Sequence, residues 1–277
     1  MNDFTNTVVK INLFDSDDKI ISSGTGFFYS IPVSEYTNSL VNVCLPCIIT
    51  SKHLFNSNDI SSYEVLLQSI YSGSVSPEYL KFNLNDIIKV DHPVEDLTLL
   101  YLKNVKLKMS IGYLQPTYIK YPHTAIRHNF ISESYIVYSK DTIERSKFIF
   151  SEYGETVHIP GYHLGKNSYD INNPINVTGV LSTNPLSNKF VLQAPLNNGS
   201  SGSPVFFHVK NNYTGNVQSY LIGIITEYVD NADGQNTGLV YAVSSRNIYL
   251  LEQLILAEIN FKNSNPTYWK EMNKIVR

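Results

Sequence analysis

The sequence predicts an all-β fold of two antiparallel six-stranded β-barrels followed by a C-terminal α-helix. The 277 residues include 20 Tyr and 13 Phe, which favour strands because aromatic side chains pack well on a pleated surface. Short apolar runs recur along both halves of the chain, with turn residues between them. Near the end, one long segment repeats its apolar residues at helical spacing. These three observations together give the fold class.

The first unit, residues 1–110, is predicted to hold six strands. Each is a short run of alternating or wholly apolar residues that ends at a polar or glycine-rich turn. Two of the runs, on either side of residues 72–77, have the pattern of a hairpin. The predicted strands are Thr7–Phe14, Ile20–Tyr29, Val43–Thr50, Tyr63–Tyr71, Tyr79–Val90 and Leu97–Leu102.

The second unit, residues 155–243, repeats this pattern, and residues 244–277 are predicted as a helix and tail. Residues 111–154 are a crossover segment between the units, in which Asp141–Phe150 has the pattern of a short helix. Arg246–Asn260 places Ile and Leu on one helical face, with Ser245 expected as its N-cap. The predicted strands of the second unit are Thr156–Tyr162, Asn176–Ser182, Phe190–Ala194, Pro204–Lys210, Tyr220–Tyr228 and Leu239–Val243.

Charge and composition argue against several function classes. The formal net charge is −3, whereas binding to nucleic acid favours a basic face. No apolar run reaches the roughly 18 residues of a transmembrane helix, so we expect no membrane association. The first residues lack the basic and apolar regions of a signal peptide, and we therefore expect a cytoplasmic protein. Cys44 and Cys47 point to opposite faces of one strand, which favours reduced core thiols over a disulfide or a metal site.

The stretch Asn197–Phe207 combines a bend rich in glycine and serine with an apolar strand. Gly199 and Gly202 allow backbone torsions that other residues avoid, and Pro204 fixes the entry into the strand. Such a bend can expose the Ser201 hydroxyl, with the N–H groups of Gly199 and Ser201 directed at one point. This is the arrangement of a nucleophile beside an oxyanion hole. A serine-rich hairpin turn is the alternative that the stretch alone leaves open.

Two further residues provide the chemistry that a serine nucleophile needs. Acyl transfer requires a base to accept the hydroxyl proton and a carboxylate to orient that base. His53 directly follows a predicted buried strand, and Asp96 directly precedes one, so the scaffold can fix both positions. Since these two lie in the first unit and Ser201 in the second, we expect the site in the cleft between the units.

These segments resemble those of the chymotrypsin-fold (trypsin-like) serine endopeptidases, in particular the bacterial branch without disulfides. The resemblance implies that His53 is general base and then acid, that Asp96 orients it, and that Ser201 is the nucleophile. It also implies an oxyanion hole made by the N–H groups of Gly199 and Ser201. The segments that carry the resemblance are Ile48–His53, Asp96–Leu100 and the Gly-x-Ser-Gly-[Gly/Ser]-Pro signature at Gly199–Pro204, with weaker similarities at Gly24–Phe28, Gly161–Gly165 and Gly223–Ile225.

One departure from the family concerns activation. Ser200 occupies the place where animal digestive members carry an aspartate that pairs with a newly cut N-terminus. A serine cannot form that ion pair. We therefore expect activity without N-terminal cleavage.

The resemblance also locates the primary specificity pocket. Pro195 stands where trypsin-type members carry an acid, and Leu196 and Ile225 stand where glutamyl endopeptidases carry Thr and His. We expect a mostly apolar pocket and an uncharged residue before the scissile bond, unless Glu227 turns inward. Backbone acceptors on either side of Glu227 are expected to pair with the substrate as an added strand. The predicted substrate-binding residues are Pro195, Leu196, Asn198, Thr226, Glu227, Tyr228 and Gly238.

The function predicted from the sequence is a serine endopeptidase that acts on protein or peptide substrates without a metal or cofactor. Two alternatives remain: a catalytically idle double-barrel module that binds peptides, and an esterase-like or narrowly targeted hydrolase. Because an active cytoplasmic protease endangers its own cell, we expect a gating partner or narrow specificity. His158 and His163 give only a weak metal pattern, and Asp91 and His92 are expected to be surface loop residues.

Overall fold

The computed structural model describes residues 8–32, 44–71, 74–83, 87–102, 108–109, 112–113, 154–163, 174–210, 217–230 and 236–264. Strands dominate this part of the chain, and one α-helix, α1 (Ile248–Ser264), closes it. Single turns of 3-10 helix lie at Lys52–Phe55 and Ser245–Asn247. The strands are β1 Val8–Phe14, β2 Ile20–Pro32, β3 Cys44–Thr50, β4 Ser62–Tyr71, β5 Ser74–Asn83, β6 Ile87–Asp91, β7 Thr98–Leu102, β8 Lys108–Met109, β9 Gly112–Tyr113, β10 Thr156–Gly161, β11 Ile175–Leu181, β12 Lys189–Gln193, β13 Pro204–Lys210, β14 Val217–Asp230 and β15 Asn236–Ser244.

The first unit is an antiparallel sheet of seven strands in the order β5-β4-β1-β2-β3-β7-β6. The prediction of six strands is corrected at Tyr79–Val90, which forms two strands at opposite edges of the sheet. β5 pairs with β4 as the second arm of the predicted hairpin. β6 pairs instead with β7, and its Ile87 and Ile88 are buried. β5 ends at Asn83 at one edge of the sheet, and β6 begins at Ile87 at the opposite edge. The chain therefore leaves the hairpin after Asn83 and continues at the edge where the apolar side chains of β6 are buried.

The second unit is a closed antiparallel barrel in the order β10-β11-β12-β15-β14-β13. All six predicted strands are present, and Pro204–Lys210 matches β13 at both ends. Its interior is filled by alternate side chains of the strands, including Val157, Phe190 and Val240, each at most 1% exposed. The predicted all-β double-barrel fold with a C-terminal helix is confirmed, although only the second barrel is closed. The seven-stranded sheet of the first unit is a half-barrel, which is called the first barrel.

Helix α1 follows the second barrel along the chain but packs with the first. Ile248, Leu251 and Ile255 join a core cluster that also contains residues of β2, β3 and β7. The Tyr29 hydroxyl donates a hydrogen bond of 2.6 Å to Glu252 Oε1 on the helix. The helix therefore fastens residues 248–264 to the first unit.

Three local predictions have different outcomes. Ser245 does not act as a cap: it lies in the 3-10 turn before α1, and its hydroxyl donates to Leu221 O at 2.8 Å. Cys47 is a free, buried thiol, as predicted, and the Cys44 side chain lies outside the described residues. The predicted helix Asp141–Phe150 also lies outside them, so the boundaries of the crossover segment stay a prediction.

Candidate active site

His53 is positioned by the end of a core strand. β3 brings Thr50 and Ser51 to the buried junction of the two barrels, where the Ser51 hydroxyl donates to Ile225 O at 3.0 Å. The 3-10 turn Lys52–Phe55 follows, and its Leu54 is 4% exposed. With the residues before and after it anchored, His53 has a fixed backbone at the surface of the cleft.

Asp96 lies in a short turn built around the His92 ring. His92 Nδ1 accepts hydrogen bonds from the N–H groups of Val94 at 3.2 Å and Glu95 at 2.8 Å. Burial lowers the pKa of His92, with Lys52 adding to this and Glu95 opposing it, which suits a ring nitrogen that accepts. The expectation that His92 is a surface residue is wrong, since the side chain is 5% exposed and shapes the turn.

Both carboxylate oxygens of Asp96 hold His53. Oδ1 accepts from the backbone N–H of His53 at 2.8 Å, and Oδ2 lies 2.6 Å from Nδ1 of the ring. Because an ionised carboxylate only accepts, the proton of a neutral imidazole sits on Nδ1 and leaves the Nε2 lone pair available. The side chain of His53 is 37% exposed and that of Asp96 14%. The pair thus has the tautomer and orientation that a general base requires.

Residues 197–203 form the Ser201 turn, which is stabilised by hydrogen bonds within its own backbone. Ser200 N donates to Asn197 O at 3.1 Å, and Ser203 N donates to Ser200 O at 2.9 Å. Gly202 has φ +88°, and a Cβ there would lie 1.9 Å from a backbone oxygen of the first barrel. Only glycine fits this position. Among the hydrogen bonds of the described residues, none is donated by the N–H of Gly199 or Ser201.

Thr25 of β2 joins the first barrel to this turn. Its N–H donates to Ser201 O and its hydroxyl donates to Gly199 O, both at 2.8 Å. The same hydroxyl accepts from Tyr162 N at 2.9 Å, and Thr50 Oγ1 donates to Thr25 O at 2.6 Å. Thr25 is fully buried. The sequence pointed only to the glycines around it and gave this residue no role.

A cavity of about 740 Å³ opens where the barrels meet. It brings together seven of the residues singled out from the sequence, including His53, Asp96 and Ser201. Its lining is Lys52, His53, Asn56, Val94, Asp96, Lys189, Asn198, Ser201, Thr226, Glu227 and Tyr228.

Three residues of the predicted specificity pocket lie elsewhere. Leu196 is 2% exposed within the core of the second barrel, whereas Pro195 is exposed. Gly238 pairs its carbonyl with Ala194 N at 2.9 Å, away from the cavity lining. Apart from Val94 and Tyr228, the lining is polar or charged, in contrast to the apolar pocket expected from the sequence. Leu196 had signalled an apolar wall, but its side chain points into the barrel.

No group of three or more potential metal ligands occurs among the described residues. His158 and His163, the weak metal pattern, have separate surroundings. The His158 ring lies 4.4 Å from that of His208, while His163 Nδ1 lies 2.8 Å from Ser200 Oγ. In the same part of the chain, no helix has the length and apolar character needed to cross a membrane.

No protein-family model matches this sequence, and no curated protein matches it. Its structure is similar to those of three proteases. The serine endoprotease from Yersinia pestis has 17% identity and a TM-score of 0.48, and the match covers 91% of this chain and 63% of that chain. The active form of Rv3671c protease from M. tuberculosis has 13% identity and a TM-score of 0.45, with 88% and 78% covered. A mutant of the Tobacco Etch Virus protease has 13% identity and a TM-score of 0.47, with 91% and 81% covered.

This chain therefore spans less than two thirds of the Yersinia protein. At identities of 13–17%, the similarities carry no argument about reaction or substrate.

Proposed function

We propose that the protein is a serine endopeptidase that hydrolyses peptide bonds through an acyl-enzyme. The observation that carries the proposal is the two-point contact between Asp96 and His53, made at the wall of the cavity that Ser201 also lines. A mostly buried carboxylate that fixes the tautomer of a partly exposed imidazole beside a serine is an arrangement suited to nucleophilic catalysis.

In this mechanism Ser201 Oγ attacks the scissile carbonyl carbon while His53 Nε2 takes the hydroxyl proton. Asp96 stabilises the imidazolium that forms. The carbonyl oxygen becomes an oxyanion, which the N–H groups of Gly199 and Ser201 bind. His53 then gives its proton to the leaving amine as the C–N bond breaks, and water deacylates Ser201 by the reverse sequence.

The substrate backbone is proposed to lie along β14 as an added strand. Thr226, Glu227 and Tyr228 line the cavity on that side, and Asn198 lies near the serine turn. Glu227 is exposed there, and Lys52 and Lys189 line the same cavity. These charges favour polar side chains near the cleaved bond more than the apolar residue that the sequence suggested. Pro195, Leu196 and Gly238 stay candidates from the resemblance alone.

Covalent labelling with a fluorophosphonate distinguishes an active protease from an idle peptide-binding module. We expect labelling of the wild type, none of Ser201→Ala, and peptide turnover in Ser201→Ala or His53→Ala lowered by about four to six orders of magnitude. Ser203→Ala is the matched control, because its hydroxyl lies in the same turn, is buried and has no hydrogen-bond partner among the described residues. Labelling that persists in Ser201→Ala, or its absence from the wild type, contradicts the proposal.

Narrow specificity, or a partner protein that gates the site, is part of the same proposal. Profiling of new protein N-termini with wild type and Ser201→Ala would identify the substrates. Cleavage confined to few proteins supports the expectation, whereas broad digestion of casein by the isolated chain contradicts it.

A further inference from the structure

His163 lies two residues after the end of β10 and contacts Ser200 in the Ser201 turn. Its ring is 3% exposed, and both nitrogens have partners. Nε2 lies 3.0 Å from Ile159 O, and Nδ1 lies 2.8 Å from Ser200 Oγ. Since a carbonyl only accepts, Nε2 carries a proton, and Nδ1 is left to face a hydroxyl that can either donate or accept. The ring therefore bridges a fixed strand and the serine turn.

The surroundings of the ring leave it little room to move. A Cβ on Gly161 would lie 2.8 Å from His163 Cε1 and 2.1 Å from Ser203 Oγ, so the absence of a side chain there makes space for both. Burial lowers the pKa of His163 and outweighs its hydrogen bonds to backbone carbonyls. A neutral ring at neutral pH has Nδ1 as an acceptor for the Ser200 hydroxyl.

A second side chain completes the network around Ser200. Ser200 Oγ lies within reach of two acceptors, His163 Nδ1 at 2.8 Å and Asn197 O at 2.6 Å, but it has one proton. The Tyr228 hydroxyl also donates to Asn197 O. If the Ser200 hydroxyl donates its proton to His163 Nδ1, Asn197 O therefore still accepts a hydrogen bond from Tyr228. Ser200 is fully buried and held from both sides.

We propose that His163 is a positioning residue that fixes Ser200 and thereby orients the N–H groups of Gly199 and Ser201 towards the oxyanion. This rests on the proposed peptidase function. Ser200 stands between these two residues, and the Ser201 N–H belongs to the peptide group that joins Ser200 to Ser201, so a rotation of that group turns this N–H away. The Gly199 N–H lies one peptide group before Ser200, and its direction depends on the same turn. The hydrogen bond to His163 replaces the ion pair that a cleaved N-terminus makes with aspartate in animal digestive members. The oxyanion hole is then formed without N-terminal cleavage.

The test compares His163→Leu, His163→Gln and Ser200→Ala. Leu fills similar volume without hydrogen bonds, and Gln can restore a donor and an acceptor. We expect kcat of His163→Leu and Ser200→Ala to fall about 10- to 100-fold with KM nearly unchanged, because the oxyanion is bound only after attack. Affinity for a peptide aldehyde, which forms a tetrahedral adduct, should fall in parallel, and His163→Gln should recover most of both. His158→Gln, on β10 and facing His208, should match the wild type.

Ser200→Ala removes one atom, which keeps the test available if His163→Leu does not fold. Wild-type kcat and aldehyde affinity in folded His163→Leu or Ser200→Ala overturn the proposal, as does a change in KM alone. Hydrogen exchange of the Ser200 and Ser203 amides reports on the turn without turnover. We expect faster exchange of both in His163→Leu, and unchanged exchange overturns the proposal. Absence of fluorophosphonate labelling in the wild type instead refutes the peptidase function.

Discussion

Thr25 offers the sharpest test of how the two barrels build the serine turn. Thr25→Val keeps the shape of the side chain but removes a hydroxyl that donates to Gly199 O and accepts from Tyr162 N. Both backbone groups belong to buried residues. Each buried polar group left without a partner costs about 1–3 kcal/mol, so the substitution should lower the free energy of unfolding by roughly 2–6 kcal/mol.

Thr25→Ser is the matched control, because it keeps the hydroxyl and loses one methyl group at a cost of about 1 kcal/mol. Urea unfolding of both variants, followed by fluorescence, measures the difference directly. At about 2–4 °C per kcal/mol, Thr25→Val should also melt roughly 5–20 °C below the wild type. Equal stability of the Val and Ser variants would refute the role given to the hydroxyl.

Two further predictions concern glycine and histidine positions in the second barrel. Gly202→Ala places a methyl group 1.9 Å from Thr25 O, so it should lower the free energy of unfolding by more than about 4 kcal/mol or prevent folding. Gly238→Ala is the comparison, because Gly238 also has a positive φ but has open space around it. It should lower the free energy of unfolding by about 1–2 kcal/mol in the same urea assay. Burial and the neighbouring His158 lower the pKa of His208 to about 4. The unfolded chain therefore binds more protons than the folded one between about pH 6.5 and pH 4, and stability falls as the pH is lowered through this window. His208→Gln should lose less stability than the wild type over that range, and an equal loss in both proteins would count against this account.

The strands were the most predictable part of the fold. β13 is bounded by Pro204 at its start, and the apolar run that follows Pro204 carried its prediction to Lys210. Tyr79–Val90 went wrong because an apolar run shows that residues form strands but not which neighbour each one pairs with. The partner of β6 is decided by the apolar face of β7, which follows it in the sequence.

The residues that support the candidate site were less predictable than those proposed to act in it. His53, Asp96 and Ser201 each follow or precede a recognisable strand, so their local signals are strong. Thr25 and His163 act on residues 174 and 37 positions away, and neither spacing nor composition reports such contacts. Leu196 shows a related limit, since Asn198, two residues further on, lines the cavity while the Leu196 side chain packs in the core of the second barrel.

The bonds that Thr25 and Ser51 make across the junction also set an order of assembly. Residues 8–102 leave the ribosome well before Gly199–Ser203 is synthesised, and domains generally fold as units during synthesis. The serine turn thus closes against a surface that already exists, and it lacks that template in any fragment without the first barrel. If the chain is cut between the barrels, the Ser201 turn should adopt its native structure only when both pieces are mixed. The first barrel thus provides the surface against which this part of the second barrel folds.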